Sequence, residues 1–545
     1  MKVIITKIPL NHLIVPIPIK IAIIRLGTIR TTSLKLVKDF CLFSGYNKTK
    51  AIYNFLKENP LLAVSAGLLF LFSAIVFLFT EWSYQSIELL SLWVRGHFGY
   101  FYLYLGLGCV LLLLGIAASP WGNLKLGKSN EKPEHSTWAW ASMLYSTGMG
   151  AGILLRAVQE PVFMQQNPPI ATNSTPEILA LEFTFYQWGF TAWAFYGLFA
   201  LIIGHALFTK NRKVLVSSSI PQKFKGTKRA NAVDILAIIT TVFGLIAAVG
   251  LGTAQITGGL NHVFQSEFGA TVTLLLALLI STIAFVSVWL GVDKGIKRIS
   301  KFNILVTLLL LAFVFINSNM GDILLSFGKA SLHYLKDFVP MSIAVGRFNP
   351  GIEFLTDWTF YYWAFWLAWA PFTGIFIARI SRGRTLRQML LGVLIIPSLG
   401  TFFWFSVFGV SAFEIIESWG SYNNEFGSVF SSIFVFFGEY PLSGLLNGIT
   451  ILLLVSFLVT SVDSAVFVLS MFTDKGNPNP QKKHRLIWSV FILLATLALI
   501  LLGNAKPNID VLTAVQKLLI ITSLPFAFFI VFVAVVFLTS FGKKG

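Results

Sequence analysis

The sequence predicts an all-α membrane protein with twelve transmembrane helices, and three observations lead there. The 545 residues are 56% hydrophobic and only 12% charged, about half the roughly 25% charged share of a soluble domain. Uncharged runs close to the ~20 residues that a helix needs to cross a bilayer recur from residue 61 to residue 540. Lys and Arg crowd into alternate connecting segments, the asymmetry that orients membrane helices. With a mean hydropathy of +0.77, the chain has more apolar surface than one aqueous core can hide, so part of its solvent is lipid.

The runs lie near 61–80, 99–119, 137–165, 180–208, 234–263, 269–290, 302–318, 354–379, 386–413, 443–472, 486–503 and 512–540. Several approach 30 residues, so these helices tilt or extend beyond the hydrocarbon. With the N-terminus inside, 34 of the 41 basic residues fall in inside segments and 5 outside, while Arg156 and Lys517 lie within spans. Both termini are thereby expected in the cytoplasm. The net charge of +18 then needs no nucleic-acid partner.

Residues 1–59 form a basic cytoplasmic segment that Pro9, Pro16 and Pro18 keep from being one long helix. It reads as a tail, a targeting segment or a membrane-surface segment. Two peripheral helices are expected over 60–135, five helices over 136–318, an outer loop with a surface helix over 319–352, five more helices over 353–540 and a short tail over 541–545. Cys41 and Cys109 support neither a disulfide framework nor a metal cluster.

Two spans carry interruptions. Gly148, Gly150 and Gly152 alternate in the third, and each weakens a helix by about 1 kcal/mol relative to alanine. Unwound backbone at membrane depth is tolerated where it lines a cavity or holds a cation, whereas close helix packing explains the same glycines equally well. In the eighth span, Pro371 and Gly374 predict a second break. Breaks in the first helix of each five-helix group point to an inverted-repeat transporter with its site near the midplane.

Aromatic residues gather beside these breaks. Trp188, Trp193 and Tyr196 fall on one broad face of the fourth span, and Phe365, Trp366, Trp369 and Phe372 form a stripe on the eighth. Such stripes serve packing or an interfacial belt, or, when two of them face each other at depth, a box for a cation without hydrogen-bond donors. A quaternary ammonium group is that cation. In the tenth span the Thr460 and Ser461 hydroxyls either bond back to their own helix or, with carbonyls of the unwound third helix, supply hard ligands for sodium.

From about residue 60 to 540 the chain resembles the betaine/carnitine/choline transporters. The resemblance rests on Trp363-Ala-Phe-Trp-Leu-Ala-Trp-Ala-Pro-Phe-Thr-Gly374 running on to Thr385, and on Gly148-Met-Gly150, Glu160-Pro161, Trp188 to Tyr196, Gly250-Leu-Gly252 and Thr460 to Ser464. It implies a LeuT-type core of two inverted five-helix repeats, commonly as a homotrimer. It also implies that Trp188, Trp193, Tyr196 and Trp366 cage a trimethylammonium group, with Trp369 and Phe372 on the inner exit path. One sodium site would take carbonyls of Ser146, Met149 and Phe457 and hydroxyls of Thr460 and Ser461.

Departures from the family pattern bear on coupling. Phe365 stands where betaine carriers usually have tryptophan, and Ala247 and Ala248 replace a Thr-Ser pair, which removes the oxygens of a second sodium site. Gly152 is kept where proton-coupled choline carriers often place Asp. Arg156 replaces an aromatic residue, although an arginine at the centre of a membrane helix costs at least about 2.5 kcal/mol. It either pairs with Glu160 at i+4, or faces the cavity to meet a substrate carboxylate, or substitutes for a bound cation. The expected function is sodium-coupled import of glycine betaine, carnitine or a related zwitterion across a bacterial inner membrane. The alternative is a sodium-independent exchanger or proton-coupled choline-type carrier. No enzyme is expected and no cofactor beyond sodium as coupling ion, because the seven histidines are scattered and no paired metal motif occurs.

Overall fold

In the computed structural model, residues 53–542 are described apart from 149, 173, 291 and 292. The expectations for residues 1–52, for Met149 and for the extreme C-terminus lie outside the described residues. Contacts divide the chain into 1–58 and 59–545, and the spans all belong to the second unit. Among the described residues the only β pairing is an isolated bridge between Lys125 and Thr385.

The spans begin with α1 (Pro60–Leu78) and α2 (Thr80–Ala118), separated by Phe79 alone. At 39 residues, α2 is nearly twice the length a bilayer requires. Its first half carries Glu88 and Arg95, and Glu88 also pairs with Lys517. The third span is divided into α3 (Thr137–Gly148), α4 (Ala151–Arg156) and α5 (Gln159–Gln166). The fourth is α6 (Pro176–Trp188) and α7 (Phe190–Gly204), which runs on as a π turn over His205–Thr209. Then follow α8 (Lys228–Phe264), α9 (Ala270–Leu290), α10 (Asp293–Ile316) and the amphipathic α11 (Met320–Ile343). A π-helical turn at Leu355–Phe360 leads into α12 (Tyr361–Ile380). The chain continues through α13 (Leu386–Trp419), the short α14 (Ser432–Gly438), α15 (Ser443–Thr473), α16 (Lys482–Leu502) and α17 (Val511–Gly542).

Eleven helices of the described residues are long and apolar enough to cross a membrane. The remaining hydrophobic run, 137–165, is the interrupted one, and none of its pieces is long enough alone. Burial separates centre from periphery: 89% of the apolar window of α6–α7 is covered by protein, against 33% for α9 and 28% for the window in α10. Polar and aromatic groups at membrane depth can therefore be satisfied along α6 and α7, whereas α9 and α10 present mostly aliphatic surface outward.

The most extensive helix pairing is α7 against α12. At Gly374 a Cβ would fall 2.7 Å from a Phe199 ring carbon and 3.1 Å from the Ala200 nitrogen, so hydrogen alone lets the two backbones meet. This corrects the expectation of a break in the eighth span, because α12 passes through Pro371 as one helix. Proline removes a single donor there, and tight packing on α7 holds the helix together. The local irregularity lies earlier, in the π turn.

Two loops rich in basic residues fasten the start of α3. Leu126 and Gly383 exchange backbone bonds with the 381–386 segment and the 124–126 segment (2.8–2.9 Å). Arg384 lies over the Trp140 ring at 4.2 Å and donates to the His135 carbonyl, and Trp140 Nε1 donates to Ser381 Oγ at 3.0 Å. A capping box between Thr385 and Gln388 starts α13 beside this latch.

Candidate functional site

The backbone opens twice near the middle of the bundle. Gly150 is fully extended (φ −156°, ψ −174°) between α3 and α4. Gly189 separates α6 from α7, a break that the sequence reading missed. A Cβ at Gly189 would lie 2.6 Å from the Phe185 carbonyl, 2.7 Å from Tyr334 Oη and 2.9 Å from the Phe402 ring. The Phe190 N–H, freed by the break, donates to Tyr334 Oη at 2.8 Å, and Trp366 Nε1 donates to the Gln187 carbonyl at 3.0 Å. Both orphaned backbone groups thus find side-chain partners.

The interrupted segments bring aromatic rings together. On α12 and its π turn, Trp358, Tyr362 and Trp366 recur every four residues and form a column, with centroids 6.4 Å and 5.8 Å apart and planes within 22° and 26°. Trp188 stands edge-on to Trp366 at 5.1 Å and to Tyr362 at 5.6 Å. Tyr196 meets Trp366 at 6.3 Å and Trp193 at 5.6 Å. Trp188, Trp193, Tyr196 and Trp366 are each at most 8% exposed. The helical wheel that placed Trp188 with Trp193 fails at Gly189, yet rings on both sides of the break meet Trp366. Gly152 supports the cluster, its missing Cβ site lying 3.8 Å from the Trp188 ring.

The remaining aromatic candidates continue along α12. Phe365 packs edge-on against Trp366 at 5.2 Å, and Trp369 lies 6.5 Å from Phe365 and 5.6 Å from Phe372. The Trp369 Nε1–H is buried and meets no acceptor among the described residues.

Glu160 is fully buried and accepts hydrogen bonds from Trp188 Nε1 at 3.2 Å and from the Tyr362 hydroxyl. Arg156 is 5% exposed, donates to Gln159 Oε1 at 2.6 Å and lies 4.9 Å above the Trp358 ring. Among the described residues Arg156 and Glu160 form no ion pair within 4.0 Å. The i+4 pairing expected from spacing is corrected here, because the turn at Ala157–Val158 between α4 and α5 takes the two out of helical register. Of the five N–H groups of a guanidinium, Gln159 takes one.

The proposed sodium ligands have local partners. Ser146 Oγ donates to the Met143 carbonyl at 2.9 Å, and Thr460 Oγ1 to the Ser456 and Phe457 carbonyls at 3.0 and 3.1 Å. A hydroxyl that donates backwards keeps its lone pairs for a cation. Phe457 is buried and Ser461 half-buried on α15, which α4 touches. Trp358, Tyr362 and Phe405, which lies 5.1 Å from Trp188, were missed in the sequence. The four-residue spacing back from Trp366 was the available signal for the first two.

Helices that cross a membrane, two of the spans interrupted, around a buried cluster of indole, phenol and paired polar groups define an integral membrane protein with a central polar site. The sequence profile of the betaine/carnitine/choline family transporters matches residues 60–545. The chain is similar to the glycine betaine transporter OpuD of Bacillus subtilis, 36% identical over 459 residues, covering 83% of this chain and 88% of the relative. It is 35% identical to the high-affinity choline transport protein of Escherichia coli, over 88% of this chain and 71% of the relative. An ectoine/hydroxyectoine transporter of Virgibacillus pantothenticus is 32% identical over 86% and 93% of the two chains. The protein belongs to the betaine/carnitine/choline transporter family and is a membrane transporter.

Proposed function

We propose that the protein is a secondary active transporter that imports a zwitterionic quaternary ammonium compound, glycine betaine, carnitine or a relative, coupled to sodium. The observation that carries this reading is the convergence of Trp188, Tyr196, Tyr362 and Trp366 from α6, α7 and α12 beside the break at Gly189. A trimethylammonium group has no N–H to donate, so ring faces are its natural partners, at about 2 kcal/mol or more each when water is excluded. Trp193 walls the same space, Gly152 leaves room beside Trp188, and Phe365 adds a weaker face. Trp369 and Phe372 line the route inward. At the other end of the substrate, the unused N–H groups of Arg156 meet a carboxylate, held in place by Gln159 below the guanidinium and by the Trp358 ring.

In this reading the interrupted span completes twelve crossings in a LeuT-type core, with both termini in the cytoplasm of a bacterial inner membrane and three copies in the assembly. Alternating access rocks one helix group against the other about the rings. Sodium bound by Ser146, Met149, Phe457, Thr460 and Ser461 drives the inward step. One cation moving inward across 100 mV supplies about 2.3 kcal/mol, enough for a roughly fiftyfold substrate gradient. Ala247 and Ala248, which offer no side-chain oxygen, favour the second reading of a sodium-independent or proton-coupled carrier. Uptake of labelled glycine betaine into proteoliposomes tests both. Accumulation that needs an inward sodium gradient supports the first reading, accumulation on a proton gradient or exchange alone supports the second, and no uptake of any quaternary ammonium compound removes both.

A further inference from the structure

A second cluster of ligand-bearing side chains lies away from the rings, where α11 crosses α6. Glu182 on α6 and His333 and Asp337 on α11 bring one carboxylate oxygen, one imidazole nitrogen and another carboxylate oxygen to within 4.8 Å of one another. His333 and Asp337 are four residues apart on one helix and therefore share a face. Glu182 is 3% exposed, faces Asp337 within hydrogen-bond reach, and has His333 Nδ1 at 3.8 Å with the Arg347 charge farther off. Two carboxylates that face each other, one of them buried, repel unless a proton or a metal cation sits between them.

We propose that Glu182, His333 and Asp337 form a binding site for a divalent transition metal of the zinc class. One imidazole and two carboxylates, with water in the fourth position, make a chemically ordinary zinc donor set. Bonds of about 2.1 Å in tetrahedral geometry place ligand atoms roughly 3.4 Å apart. The cluster contracts to that spacing by rotation of His333, whose side chain is 39% exposed, and of the half-buried Asp337, while Glu182 stays fixed. His333 Nδ1, the ring nitrogen that faces Glu182, also lies 3.2 Å from Ser174 Oγ, a contact that the metal replaces.

The position gives the metal a consequence. Six residues after Glu182, α6 ends at Trp188. The same α11 holds the break through Tyr334 Oη on the Phe190 N–H, and Tyr186 Oη donates to the Met341 carbonyl at 3.4 Å. A metal bridging α6 and α11 fastens this joint further and resists any relative movement of the two helices.

The test is equilibrium dialysis of the purified full chain against zinc, with cobalt as a spectroscopic substitute, in wild type, His333→Gln, Asp337→Asn and Glu182→Gln. The expected result is one tightly held zinc per chain, visible cobalt d–d bands, and affinity at least tenfold weaker in each variant. The two α11 variants change only partly exposed side chains, so they remain informative if Glu182→Gln fails to fold. Zinc bound equally by wild type and both α11 variants, or not bound by wild type, overturns the proposal. Because the readout is metal binding rather than uptake, the result does not depend on the transported substrate.

Discussion

Replacing Trp366 tests the ring cluster most directly, because four of the other rings meet this side chain. Its faces and edges meet Trp188, Tyr196, Tyr362 and Phe365, and its N–H caps the Gln187 carbonyl. Trp366→Ala removes one cation-binding face, worth about 2 kcal/mol or more, and so weakens substrate binding by roughly thirtyfold or more. It also leaves a cavity, costing about 3–5 kcal/mol of stability, and strands the Gln187 carbonyl for about 1–3 kcal/mol more. Trp366→Phe keeps a weaker face and loses the N–H, so an intermediate effect below about tenfold in Kd is expected. Affinity is read by titrating labelled glycine betaine onto detergent-purified protein that elutes as a monodisperse peak, with thermal unfolding followed in parallel. Folded Trp366→Ala that binds with an unchanged Kd would refute the assignment of these rings to the substrate.

Three further outcomes follow from the same geometry. Glu160→Gln keeps an acceptor for Trp188 and Tyr362 and is expected to unfold within a few degrees of wild type, whereas Glu160→Ala strands two buried donors at about 1–3 kcal/mol each; equal melting of the two would contradict the hydrogen-bond role. Gly189→Ala drives a methyl group into the Phe185 carbonyl and Tyr334 Oη and is expected to cost about 1–3 kcal/mol, read as a lower unfolding temperature. Arg156→Gln is expected to weaken glycine betaine binding at least tenfold, as befits a lost charged hydrogen bond of about 1.5–3 kcal/mol, while leaving choline, which has no carboxylate, unaffected or improved. Competition of the two compounds for one labelled ligand measures this, and equal loss for both would place Arg156 outside the carboxylate end.

Particular residues show how far the chain could be read in advance. Gly148, Gly150 and Gly152 announced the interruption of the third span, because three glycines in five residues weaken a helix by local energetics alone. Trp188, Trp193, Tyr196 and Trp366 stood out as aromatic groups at membrane depth, and all four are buried together. Pro371 misled, since one lost donor does not break a helix that lies against α7 over its length. Gly189 was passed over because a single glycine in an apolar run is unremarkable by spacing, and the groups that require it, Tyr334 and Phe402, come from distant segments.

Composition and charge asymmetry are summed locally along the chain, so the sequence by itself determined that this is an all-helical membrane protein, roughly where its helices lie and which family it resembles. Partner choice is not local. Arg156 stands four residues before Glu160 in the chain but bonds to Gln159 and stacks on Trp358, while Glu160 takes its hydrogen bonds from Trp188 and Tyr362. The tertiary structure alone decided these pairings, and with them the grouping of Glu182 with His333 and Asp337, because turns such as Ala157–Val158 reset the direction of every side chain that follows.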